Sequence, residues 1–80
     1  MKIPRDLSGK DIVKALAILG YVVVRQKGSH IMVSTKQSGE HHLAIPNHDP
    51  VKIGTFNGIL GQVANHFGLT KQEVLEKIMV

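Results

Sequence analysis

Apolar positions along this chain follow two rhythms, and the rhythm changes near Gly20 and again near Pro46. Ile12, Leu16 and Leu19 recur at helical spacing, with Ala15 on the same face, so the first segment reads as an amphipathic helix. Ser8 is placed as its N-cap, with Asp11 three residues on as a weak capping box, and Gly20 as its stop. Three β-rich runs follow, "YVVVRQ", "HIMVST" and "HHLAI". Lys27-Gly28 separates the first two and "KQSG" the second and third, both hairpin signals. After Pro46, "NHDPVKIG" reads as a loop. Helical spacing then returns. Phe56, Ile59, Leu60, Val63 and Phe67 form one stripe, with Thr55 as the expected cap and Gly68 as the stop. "TKQE" at Thr70 to Glu73 is a capping box for a last short helix carrying Val74, Leu75 and Ile78.

The order α-β-β-β-α, with a C-terminal helix added, predicts a three-stranded antiparallel meander with helices on one face, an α+β sandwich of two layers. Residues 1–80 read as a single domain, without internal repeat or linker. Alternation assigns inward faces: Val22 and Val24 in the first strand, Ile31 and Val33 in the second, Leu43 and Ile45 in the third. A two-residue turn at Lys27-Gly28 would set Arg25 opposite His30 and Val24 opposite Ile31. A three-residue loop at Gln37 to Gly39 would set Val33 opposite Leu43, Ile31 opposite Ile45, and Pro46 opposite His30. His30 then stands on the open face of the sheet, at one end of the central strand, together with Met32.

Composition narrows the choice of chemistry. With 42% hydrophobic and 20% charged residues the chain is an ordinary globular one, and 80 residues support only a modest core. There is no cysteine, which removes disulfides and thiolate metal sites and agrees with a reducing, cytoplasmic setting. Neither a secretory signal at "MKIPRDLSGKD" nor a membrane-length apolar stretch is present, so no membrane association is expected. The net charge of +4 points toward nucleic acid, an acidic partner or a membrane surface, or serves solubility alone.

Against that charge, His30 admits two readings: a surface histidine beside a basic turn, or a base poised against phosphate. In the second, a neighbouring Arg25 favours the neutral imidazole. Arg25 also pairs with a phosphate oxygen and stabilises charge during attack on a phosphodiester, while Lys27 adds positive charge. RNA supplies its own nucleophile, the 2′-hydroxyl, so one base and nearby cations suffice without a metal or other cofactor.

The blocks "IPRDLSGKDIVKAL", "LGY", "VRQKGSH", "IPNH" and "IGTFNGIL", in this order from about Ile3 to Leu69, resemble the HicA (YcfA-like) toxins, small partners of HicB antitoxins. The resemblance implies a double-stranded-RNA-binding-domain-like fold and mRNA interferase activity, an endoribonuclease reaction. The catalytic histidine of the glycine-serine-histidine block is then His30, with Gly28 and Ser29 forming the turn that presents it. It further implies an RNA substrate and a HicB-like antitoxin, the toxin being a monomer alone and part of a hetero-oligomer when inhibited. Gly58 and Gly61 depart from an ideal helix, each costing about 1 kcal/mol relative to alanine in an exposed helix interior.

Other residues carry weaker signals. His48, two residues past Pro46, is a candidate secondary acid or a plain loop histidine. His41 and His42 must face opposite ways, and His42, paired with Ser34, lies roughly 13 Å along the sheet from His30, too far for a relay. Lys10 and Lys14, one turn apart on the first helix, can track an RNA backbone or simply solvate a helix face. No metal-ligand spacing is found among the histidines. A non-catalytic RNA-binding module of the same fold, or a protein-interaction module using the open sheet face, stands as the alternative to the nuclease.

Overall fold

A computed structural model describes residues 3–79. Helix α1 (Gly9–Leu16) is followed by a 3₁₀ turn at Ala17–Leu19, strands β1 (Val22–Lys27), β2 (His30–Thr35) and β3 (His41–Pro46), and helices α2 (Ile53–Phe67) and α3 (Lys71–Ile78). The strands form one antiparallel sheet in the order β1-β2-β3. This is the α+β layout that the alternation of rhythms predicts, with the extra C-terminal helix in place.

Local signals explain most boundaries. Ser8 and Thr70 each close a capping box, the hydroxyls accepting from the Asp11 and Glu73 amides at 3.1 Å. In return the Ser8 and Thr70 backbone N–H groups donate to the Asp11 and Glu73 carboxylates at 3.0 and 2.9 Å, and these bonds are the largest cause holding both carboxyls below their usual range. Gly20 and Gly68 end their helical segments in the left-handed conformation. The first helix turns 3₁₀ after Leu16, so Leu19 reaches the core from that tighter turn. Thr55 is not a cap: α2 begins two residues earlier at Ile53, with Lys52 as N-cap and no side-chain bond. The first turn of α2 thus includes Gly54 and Thr55, and it closes with the Phe56 N–H donating to the Lys52 carbonyl at 3.0 Å.

Ile31, Val33, Leu43 and Ile45 point from the sheet into the core, where they meet Ile12 and Leu16 of α1, Phe56, Ile59, Leu60 and Val63 of α2, and Val74, Leu75 and Ile78 of α3. Among the described residues Thr35 is the one buried polar residue, and its hydroxyl donates to the Leu19 carbonyl at 2.8 Å. Among the described residues no buried side-chain nitrogen or oxygen lacks a partner.

The second hairpin has the expected register: Val33 faces Leu43, Ile31 faces Ile45 and His30 faces Pro46. The first differs. Its loop is Gly28-Ser29, one residue later than expected, with Gly28 at φ +59° in the leading position, where a type II′ turn favours glycine. Lys27, not Arg25, therefore pairs with His30, and Arg25 pairs with Met32. A bulge at Val24 absorbs the offset, since Val23 pairs with Val33 and Arg25 with the next residue along β2. The expected burial of Val22 and Val24 is also overturned. Val22 is 61% exposed because the register pairs it with Ser34 on the open face, and Val24, at the bulge, is 55% exposed. Val23 pairs with core-facing Val33 yet is 54% exposed, because the helices pack toward β3 and leave β1 overhanging. Tyr21, just before the strand and 1% exposed, supplies the core contact of this segment instead.

Candidate functional site

His30 opens β2 on the face of the sheet opposite the helices, and it is exposed. Backbone bonds hold its surroundings. The Asn47 N–H donates to the Ser29 carbonyl at 2.7 Å, tying the tight turn to the end of β3, and the Gly9 N–H donates to the His48 carbonyl at 2.9 Å, tying that segment to α1. Gly9 permits the second tether: a Cβ there would run into the Pro46 carbonyl and the Asn47 Cα. The signal for it was only a glycine at a helix start, and sequence reasoning passed over it.

Two cations share this face. Lys27 is directly across from His30, so their Cβ atoms lie about 5 Å apart. Arg25, across from Met32, is the diagonal neighbour of His30 at roughly 7–8 Å, within reach of a long side chain. No carboxylate occurs anywhere in β1, its turn or β2. Lys27, Gly28, Ser29, His30, Met32 and Ala44 line one shallow hollow of about 500 Å³. Ala44 escaped sequence reasoning, although its place between His42 and Pro46 on the open side of β3 marks a missing side chain.

Lys10 and Lys14 are exposed on α1, in the helical layer, so they do not share a face with His30, Arg25 and Lys27. Between the two sets lies the rim where the Gly9 N–H meets the His48 carbonyl. His48 lies on that rim with its side chain exposed, engaged with α1 through its backbone.

A second histidine group sits at the other end of the sheet. The His41 Nδ1 lies 2.7 Å from the Tyr21 hydroxyl, and its ring stacks on His66 at 4.4 Å between centroids. The His66 Nε2 bonds the Gln37 and Gly39 carbonyls at 3.0 and 3.1 Å, anchoring the second hairpin loop to α2. Burial pushes the Tyr21 phenol up to about 12, and it lowers His41 as well, with smaller contributions from His66 and His42. Exposed His42 contacts Glu40 at 3.1 Å. Among the described residues no group of three or more histidine, cysteine or acidic side chains is placed to hold a metal ion, and no helix is long and apolar enough to cross a membrane.

Residues 9–64, well over half of the chain, match a family model described as "HicA toxin of bacterial toxin-antitoxin". No curated protein and no solved structure matches the chain.

Proposed function

The chain belongs to the HicA toxin family of bacterial toxin–antitoxin systems, and from that premise we propose that it is a metal-independent endoribonuclease that cleaves mRNA through His30. The observation that carries this reading is an exposed imidazole on the open sheet face, with Lys27 directly opposite and Arg25 on the diagonal. The His30 ring takes the proton of an RNA 2′-hydroxyl. That oxygen attacks the adjacent phosphorus, the bond to the 5′-oxygen breaks, and a 2′,3′-cyclic phosphate and a free 5′-hydroxyl result. Lys27 and Arg25 stabilise the charge that builds on the phosphoryl oxygens. His48, on the adjoining rim, is the candidate donor of the proton the leaving oxygen needs. Lys10 and Lys14 extend the phosphate contacts past the rim.

The protein acts in the cytoplasm and is restrained by a HicB-type antitoxin. The exposed valines of β1 support a protein partner, because an uncovered apolar edge strand invites pairing by another chain.

The test is direct. Expression in a bacterial host should arrest growth, and the purified protein should cut single-stranded RNA in the presence of EDTA. His30→Ala should lower the cleavage rate by roughly 10²–10⁴-fold, the usual contribution of a general base. Its thermal unfolding should be unchanged, since the side chain is exposed. Equal cleavage by the two proteins would remove His30 from the chemistry. RNA that is bound but never cut by the wild type would leave a non-catalytic RNA-binding module.

A further inference from the structure

The open face is not flat beside His30. The hollow of about 500 Å³ falls within the roughly 300–1,000 Å³ typical of small-molecule sites. It exists because two side chains are small or absent. Ala44 contributes only a methyl opposite Met32, and at Gly28 a Cβ would meet nothing within 4 Å. The floor, Met32 and Ala44, is apolar. His30, the cation Lys27 and Ser29 complete its lining, and Arg25, outside the lining, is paired across the strands with Met32.

Each part restricts the occupant. A methionine thioether is polarisable and packs well against aromatic rings, and an alanine methyl leaves room for a flat group to lie on both. Two cations without a nearby carboxylate call for an anion attached to that flat group. An apolar protein side chain would fill the floor but leave the cations unanswered. An aromatic ring carrying a phosphate satisfies both.

We propose that this hollow is a subsite for one unpaired nucleobase, stacked on Met32 and Ala44, whose phosphate meets Lys27 and whose ribose lies beside His30. The inference rests on the nuclease reading for its placement of the ribose, and it adds the group that is recognised, the unpaired base of the scissile nucleotide. A base inside a duplex is already stacked and paired and cannot enter, so the substrate is a single strand, a loop or a bulge.

Two measurements on the full chain test it. In the first, the methyl groups of methionine and alanine are isotope-labelled and titrated with uridine 5′-monophosphate, adenosine 5′-monophosphate and ribose 5-phosphate. Both nucleotides should shift the Met32 and Ala44 methyl resonances, while the sugar phosphate should perturb only amides from Lys27 to His30. In the second, an RNA oligonucleotide abasic at the scissile nucleotide should be cut at least tenfold more slowly than its intact parent. Met32→Asp should slow the parent to a similar extent and slow the abasic substrate little further.

Methyl groups that ignore both nucleotides, or answer the sugar phosphate equally, would overturn the subsite. So would methyl shifts seen only when a co-expressed antitoxin is bound, which would make the occupant a protein. Cleavage indifferent to the missing base would also sink it while leaving the nuclease reading intact. Methyl shifts without cleavage of any RNA would do the reverse, keeping a nucleobase site and ending the nuclease reading.

Discussion

The His41 imidazole stacks on the His66 ring at 4.4 Å, so a proton on His41 is disfavoured by its neighbour as well as by burial. His41 is half-buried and its Nδ1 faces the hydroxyl of Tyr21, a phenol that burial keeps protonated. Burial first, then His66 and His42, hold it below its ordinary 6.5. The folded state therefore binds the His41 proton less readily than the unfolded chain does. Its contribution to stability is complete above about pH 6.5 and declines as the pH falls toward the lowered folded value. Asp11 and Glu73 have the same sign but act further down, below their ordinary 3.8 and 4.5. Thermal melts at pH 7.5 and pH 5 should show a lower Tm at pH 5 for the wild type and a smaller drop for His41→Gln, which keeps an acceptor for Tyr21. Equal drops would show that His41 does not carry the dependence.

Between elements, the contact that matters most for the site is the approach of α1 to residues 46–48. By helix propensity alone, Gly9→Ala should stabilise α1 by up to about 1 kcal/mol. The structure predicts the opposite sign. The new methyl meets backbone at Pro46 and Asn47, which cannot swing aside as a side chain can. A loss of about 1–3 kcal/mol is expected, as for other overpacked positions, together with slower RNA cleavage because the segment that backs His30 is displaced. Denaturant unfolding of the variant checks the sign. The reversal shows where the sequence stops being informative, since propensity is local and this contact joins residues far apart in the chain. The second hairpin was legible because Leu43 and Ile45 could fit the core in only one phase against Ile31 and Val33. The first was not. Gly28 suits either position of a two-residue loop, and three consecutive valines carry no alternation to choose between faces. His30 was thus placed on the correct face and strand end, but with the wrong cation opposite it.

Taken whole, the molecule has one well-covered side of its sheet and one uncovered strand. The helices serve β2 and β3, so the exposed valines of β1 contribute little to stability and remain open to a partner. Val23→Lys should therefore leave unfolding within about ±0.5 kcal/mol of wild type, as surface substitutions usually do, yet markedly reduce co-purification with a co-expressed antitoxin. Undiminished capture would place the antitoxin elsewhere on the surface. The bulge in the same strand has a separate consequence. Because Val23 and Arg25 face adjacent residues of β2, Val24 is a spare link whose removal would leave every other cross-strand partnership as it stands. At this one point the backbone can shorten by a residue without turning the cations away from His30 or drawing Tyr21 out of the interior.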